Sequence, residues 1–525
     1  MPQALADQSE TIALLERELA VGGQGESGKP LRIDTHGAIL LLGRERVLKL
    51  KRAVDLGYLD FSTPARRLAA CQAEVRLNRR TAPEMYVGLR AVLRGGDGAL
   101  RLGPIVGPDS AGGQSADALD HVVEMRRFPA EGLLSEVAAR GELTPGLVRD
   151  LADGIARFHA GAAISGDAQG AARMRAVIEG NARSLAALPE GVWPKGAAQA
   201  LTSASLEECA RIADVLDARA RGGWVRHCHG DLHLANICLW HGRPTLFDCL
   251  EFNAQLATTD VLYDLAFLLM DLWHHGHQAQ ASQLLNRYAD MGEGADTGLA
   301  ALPLFLSVRA AIRAHVGASA ALLATGAARA EGLEKARALL ASAQAFLARP
   351  GVRLVAVGGL SGSGKSTLAG ALAPHLGVAP GARWLRSDVI RKRLAGIAPE
   401  QRLPADSYTP EASAQVYAAL VERCGAVLAA GWPVVADAVF ARPDERAAIA
   451  DAAQGVRFDG LWLDAGGDVL TARVGARRGD ASDADAAVVR HQQAYAIGDL
   501  GAWRRIDASG TPVQVLDAAL PLLAG

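Results

Sequence analysis

The segment Gly359-Leu360-Ser361-Gly362-Ser363-Gly364-Lys365-Ser366 constrains the fold more than any other stretch of the chain. It follows the apolar run Leu354–Val357, and a helical pattern begins at Thr367. Strand, glycine-rich turn and helix in that order form a phosphate cradle. Glycines let successive N–H groups face the phosphates, and the helix N-terminus adds positive potential. Lys365 can reach the β- and γ-phosphates, and Ser366 can ligate Mg²⁺. The expected nucleotide contacts are Gly359, Gly362, Ser363, Gly364, Lys365, Ser366 and Thr367, with ATP as the nucleotide.

Around the cradle, strand-like runs alternate with helical segments: LVAVGG, ARWLRS, PVVADAV and RFDGLWLD. That alternation predicts a P-loop domain with a parallel sheet flanked by helices. Asp437 ends the run Pro433–Ala436 and is placed either to hold a magnesium-bound water or simply to start the next loop. Asp388 follows the strand-like Trp384–Arg386. It can act as a base toward an acceptor hydroxyl, and Ser387 or Asp388 can also cap the next helix. Arg473, Arg477 and Arg478 precede a polar loop. Arg473 and Arg477 share a helix face and can either neutralise a transferring phosphoryl group or form a solvated basic face.

Pro350-Gly351 separates this part from an alanine-rich helical stretch, which divides the chain into residues 1–348 and 349–525. Before the break come strand-like AILLLG and RVLKLKR, a helix near Ala65–Asn78, a strand near His121–Arg127 and long helical tracts. A mixed small lobe followed by a mainly helical large lobe fits that order. Hydrophobic residues make up 50% and charged residues 21%, which excludes global disorder. The net charge of −2 gives no drive toward nucleic acid or an anionic membrane. The 6 scattered cysteines form no CxxC pair and suit a reduced, cytoplasmic protein. No secretory signal is visible, and Arg309 and Arg313 interrupt the apolar run after Leu302. His274, His275 and His277 lack metal-ligand spacing and suit a helix end.

A second constellation lies in His229-Gly230-Asp231-Leu232-His233-Leu234-Ala235-Asn236, followed by Leu246-Phe247-Asp248. Kinase catalytic loops divide labour in this pattern: Asp231 orients an acceptor hydroxyl, while Asn236 and Asp248 hold Mg²⁺. Such a site also needs an early lysine with an acidic helix partner. RVLKLKR supplies Lys49, with Lys51 in reserve on the same strand face, and Glu74 lies in the helix ACQAEVRLN.

With VLKLKRAVDLGYLDFST, EVRLNRR, VEMRRFP, HGDLHLANI, FDCLEFN, DVLYDLAFLLMDL, GLSGSGKST, RSDVIRKRLAG and SDADAAVVRHQ, nearly the whole chain resembles a bacterial family. Its members are called bifunctional aminoglycoside phosphotransferase/ATP-binding proteins. The resemblance implies a protein-kinase-like bilobal N-terminal fold, α+β in character, fused to an α/β P-loop domain. It also implies Asp231 as catalytic aspartate, Asn236 and Asp248 as metal ligands, and Met125 to Phe128 as the hinge beside adenine. The expected activity is transfer of the ATP γ-phosphate to a small-molecule hydroxyl, with Mg²⁺ as cofactor and neither nucleic acid nor membrane as partner. The alternative is a nucleotide-binding regulator that senses ATP without transferring phosphate.

Overall fold

The computed structural model describes residues 7–20, 29–55, 59–110, 117–292, 294–349, 351–404, 407–476 and 481–524. They belong to two compact units: Met1–Asp167 with Gly223–Leu268, and Ala168–Gly222 with Leu269–Gly525.

The first unit is built on a 6-stranded sheet. Its strands are β1 (Leu31–Asp34), β2 (Ala38–Leu42), β3 (Arg46–Lys51), β4 (Tyr86–Arg94), β5 (Leu100–Leu102) and β6 (Ala118–Arg126). The spatial order is β1-β2-β3-β6-β4-β5, with antiparallel neighbours throughout. β3 is therefore interior, and from Val47 to Lys51 every residue is buried, both lysines included. One face of the sheet packs Val47, Leu89, Val123 and Met125 against Cys71 and Val75 of the helix Pro64–Asn78. Thr63 caps that helix by accepting from Arg66 N at 3.3 Å, and Pro64 opens it at a position where no backbone donor is needed. Glu74, in the same helix, is buried.

Short strands follow in the same unit: β7 (Val225–His227), β8 (Ile237–Trp240), β9 (Arg243–Leu246) and β10 (Thr258–Asp260). β8 and β9 form a hairpin, and β7 pairs with β10. They carry the HGDLHLAN loop and the Phe247-Asp248 turn between them.

The second unit contains helices and a 5-stranded sheet. Its strands are β11 (Arg353–Gly359), β12 (Arg383–Arg386), β13 (Val434–Asp437), β14 (Arg457–Asp464) and β15 (Arg504–Asp507), ordered β12-β13-β11-β14-β15 and all parallel. β11 is central and its residues from Leu354 on are buried, so a continuous apolar run rather than alternation is the pattern it needs. β4 and β15 were not legible as strands. Gly88 and Arg90 interrupt the first, and only Ile506 of the second is buried.

The helices Leu302–Leu323 and Gly326–Phe346 pack as a hairpin, and a Cβ on Gly332 would stand 2.7 Å from Ala321 Cβ. Ala295–Leu323 is long and apolar enough to cross a membrane, yet 67% of its apolar window is buried in the protein. Core packing accounts for that composition.

The edge of the parallel sheet is covered from within the unit. Asn286, on the helix Gln278–Met291, donates to Ala382 O at 3.1 Å and accepts from Trp384 N at 2.7 Å. One side-chain amide thus substitutes for a neighbouring strand along β12. Beside it, fully buried Arg383 pairs with Asp290 at 2.6 Å and Asp296 at 2.7 Å, and Arg423 pairs with Asp296 at 2.5 Å.

Candidate active sites

In the first unit, Lys49 Nζ lies 2.7 Å from Glu74 Oε1 and 2.6 Å from Asp248 Oδ1. Lys51 Nζ reaches the other oxygen of Glu74 at 2.6 Å and also pairs with Glu251. Burial disfavours a charged Lys49, but Asp248 and Glu74 outweigh it and raise its pKa. Burial likewise opposes an ionised Glu74, and the two ammoniums hold its pKa below the usual carboxylate range. The group is a lattice of fixed charges.

The loop carrying Asp231 is held from below. Asp264 is wholly buried, and its carboxylate accepts from Gly230 N at 2.8 Å and from His229 N at 3.1 Å. His159 Nε2 stands 3.1 Å from the same carboxylate. His229 Nε2 is 2.9 Å from Phe247 O, which ties this loop to the turn bearing Asp248. Asn236 Nδ2 donates to Asp231 Oδ2 at 2.9 Å, and Phe247 N donates to Asn236 O at 3.0 Å. Asp248 has φ 60, a left-handed backbone, and its N–H is accepted by the buried Tyr86 hydroxyl at 3.2 Å. That contact helps hold a conformation which L-residues disfavour.

In the second unit the cradle follows central β11. Gly359, Gly362 and Gly364 have φ of 141, 86 and 91. A Cβ on Gly362 would stand 2.4 Å from Leu470 O, and one on Gly359 2.6 Å from Leu463 O. Gly364 caps the helix Lys365–Leu372, and Lys365 Nζ donates to Leu360 O at 3.1 Å. Asp437 closes β13, buried, with Arg386 Nε 3.7 Å from its Oδ2. Burial raises its pKa, against the opposing pull of Arg386, Lys365 and a hydrogen bond from Ser366. Cradle, Asp437 and the end of β12 lie at the carboxyl edge of the sheet, where open α/β folds bind ligands.

Residues 52–302 match the phosphotransferase enzyme family, and residues 354–497 match an AAA domain. The chain joins a phosphotransferase-family domain to an AAA-family P-loop domain. The kinase-like N-terminal fold and the P-loop fold expected from sequence are both present. Among curated relatives, the uncharacterized protein Rv2004c of Mycobacterium tuberculosis is 29% identical over 500 residues, covering 91% of this chain and 92% of its own. Mb2027c of Mycobacterium bovis matches to the same extent. Among solved structures, an aminoglycoside phosphotransferase from Streptomyces rimosus is 17% identical, covering 58% of this chain and 99% of its own, with TM-score 0.34. A gluconokinase from Sinorhizobium meliloti is 24% identical, covering 33% of this chain and 92% of its own, with TM-score 0.24.

The remaining sequence expectations fall as follows. In the phosphotransferase domain, Met125 sits on β6 opposite Val47 and is buried in the sheet's core cluster. In the AAA domain, the cap of the helix Ser387–Leu394 is Arg386, without a side-chain bond. The expected capping by Ser387 or Asp388 is thus replaced: both residues are already helical, and half-buried Asp388 lies in the first turn. Arg473 donates to Ala508 O at 2.7 Å and Gly510 O at 2.8 Å, and its guanidinium lies 4.0 Å from a Cβ placed on Gly364. Arg477 and Arg478 lie outside the described residues. Thr367 is exposed, while Ser363 is buried.

The oxygen donors suit Mg²⁺, which prefers few protein oxygens and keeps its waters. Among the described residues buried Asp437 Oδ2 has no hydrogen-bond partner, and the same carboxylate takes the Ser366 hydroxyl. In the phosphotransferase domain, Asn236 spends its Nδ2 on Asp231, so the amide oxygen is the atom it can offer a cation. Asp248 is 40% exposed, open enough to offer a second. Sequence reasoning gave no role to Glu251, Tyr86 or Asp264. Asp264 carried a signal, an acid set inside the apolar run VLYDLAFLL.

Proposed function

We propose that this protein is an ATP-dependent phosphotransferase with two sites, one in residues 1–348 and one in 349–525. This division is one of chemistry, since the compact units group helices from before residue 349 with the P-loop part. The observation carrying the reading is the contact of Lys49 with both Glu74 and Asp248, at 2.7 and 2.6 Å. A lysine held by a helix glutamate and set beside a metal-ligand carboxylate is the arrangement that kinases use to grip ATP phosphates.

In the first site Lys49 binds phosphate and Glu74 keeps it charged and aimed. Asp231 orients the acceptor hydroxyl and takes its proton, and the Asn236 contact fixes the aspartate's rotamer. Asn236 and Asp248 would hold Mg²⁺, which supplies neutralisation of charge on the phosphate oxygens. In the second site the Gly359–Ser366 backbone and Lys365 bind phosphate, Ser366 and Asp437 would hold the ion, Asp388 serves as base, and Arg473 and Arg477 stabilise the transferring group. The acceptor is a small-molecule hydroxyl.

Labelled ATP offered with a panel of hydroxyl metabolites tests this. Transfer to an acceptor should fall about 10²–10⁴-fold in Asp231→Ala with little change in ATP affinity. Wild-type turnover in that variant, with every acceptor that works, would reject the mechanism. ATP binding at both sites without transfer to any acceptor would favour the sensing role instead.

A further inference from the structure

We propose that Lys51 and Glu251 are a positioning pair that reserves Lys49 for the nucleotide, an inference that rests on the ATP-dependent reading of the first site. Lys49 and Lys51 stand two residues apart on β3, and both reach Glu74, one on each carboxylate oxygen. Two ammoniums sharing one carboxylate repel each other and compete for it. What separates them is the second partner of each. Lys51 turns to Glu251, whose side chain is only 10% exposed, while Lys49 turns to Asp248, which is 40% exposed. The Phe61 ring, 5.4 Å from Lys51 Nζ, walls the same ammonium further. Lys51 is 2% exposed, enclosed by Glu74, Glu251 and Phe61.

Two ammoniums thus face three carboxylates, and of these Asp248 is the one most open to solvent. When Asp248 serves a cation, Lys49 keeps Glu74 and is left to meet a phosphate. Lys51 keeps Glu251, so it neither follows the phosphate nor draws Glu74 away from Lys49. The pair also fastens the segment Asp248–Glu251 to β3 across 200 residues of sequence. Without Glu251, Lys51 would fall back on Glu74, and Lys49 would lose part of the contact that aims it.

The test uses the full chain carrying Lys365→Ala, which silences the P-loop site, and titrates MgATP calorimetrically alongside a thermal melt. Lys49→Met should weaken MgATP binding roughly ten- to hundredfold, the value of a hydrogen bond to a charged group. Glu251→Gln should weaken it by a similar factor although Lys49, Glu74 and Asp248 are intact. The double variant Lys51→Met/Glu251→Gln, neutral at both positions, should return to within about threefold of the parent, because Glu74 then serves Lys49 alone. It also covers the case in which Glu251→Gln fails to fold. A purely structural pair would lower the melting temperature and leave affinity in the folded protein unchanged, which overturns the proposal. So would a double variant as weak as Glu251→Gln, or Lys49→Met binding like the parent while Lys51→Met does not. No MgATP binding by the parent would overturn the ATP-dependent reading itself and the pair with it.

Discussion

Arg383 and Asp296, 87 residues apart in sequence, meet at 2.7 Å in the interior of the second unit. Arg383 opens β12, whose other end leads into Ser387 and Asp388 beside the cradle. Asp296 lies in the segment that follows the helix Gln278–Met291. The start of a P-loop strand is therefore set by residues of the phosphotransferase-family region, which reaches residue 302. A chain cut at Pro350 would expose the fully buried Arg383 and remove both of its aspartates.

Arg383→Ala should destabilise the second unit by about 3–5 kcal/mol, the cost of breaking a buried pair by removing one partner. Asp290 would be left facing an apolar side chain, while Asp296 would keep Arg423. Denaturant unfolding of the full chain measures this. A change below about 1 kcal/mol would mean that the site relaxes to admit water.

Asp296 gives this network a pH signature. Burial alone would raise its pKa, but Arg383 and Arg423 outweigh burial and bring it from 3.8 to about 2. A depressed folded value means stability that is present above the ordinary carboxylate range and lost as pH falls from about 4 toward 2. The contribution is about 2 kcal/mol. Melting temperatures of wild type and Asp296→Asn should therefore converge as pH drops through that window and diverge above it. A constant gap would remove Asp296 as the titrating group.

The motifs that could be recognised early share a property: their chemistry is complete within a short stretch. The cradle at Gly359 needs only its own backbone and one lysine, and the Asp231–Asn236 pair spans a single turn of loop. Lys49 and Glu74 are farther apart, yet strand and helix patterns point to both. What stayed hidden depends on contacts that no local pattern encodes. Glu251 pairs with a lysine 200 residues away, and Asp290 with an arginine 93 residues away. Read singly, each of those acids is an ordinary surface charge. β15 was hidden for another reason, since an edge strand that buries Ile506 alone shows no alternation.

Within the cradle, Gly362→Ala should do far more damage than Gly364→Ala. Both positions have positive φ, which costs an L-residue about 1–2 kcal/mol. Only at Gly362 does the added Cβ meet backbone, 2.4 Å from Leu470 O. At Gly364 the nearest atom is Arg473 Nη1 at 4.0 Å. Binding of labelled ATP to the P-loop site, isolated by Asp248→Asn in the first, should be lost in Gly362→Ala and only weakened in Gly364→Ala. Equal losses would mean that backbone strain, not the clash, sets the effect.

Asp264→Asn should lower transfer from the first site without abolishing ATP binding. The aspartate holds Gly230 N and His229 N on its carboxylate, one and two residues before Asp231. An asparagine can offer one oxygen to those two donors and must place its own NH₂ against the other, or against His159. The lost charge-assisted bonds are worth about 1.5–3 kcal/mol each. The loop would then sample positions in which Asp231 no longer meets the acceptor. Lys49, Glu74 and Asp248 keep their mutual contacts, so the Michaelis constant for ATP should stay within about threefold while kcat falls at least about tenfold, as expected when positioning at the reacting centre is lost. Unchanged kcat in a folded variant would show that the loop holds its own shape, and that Asp264 serves the core rather than the reaction.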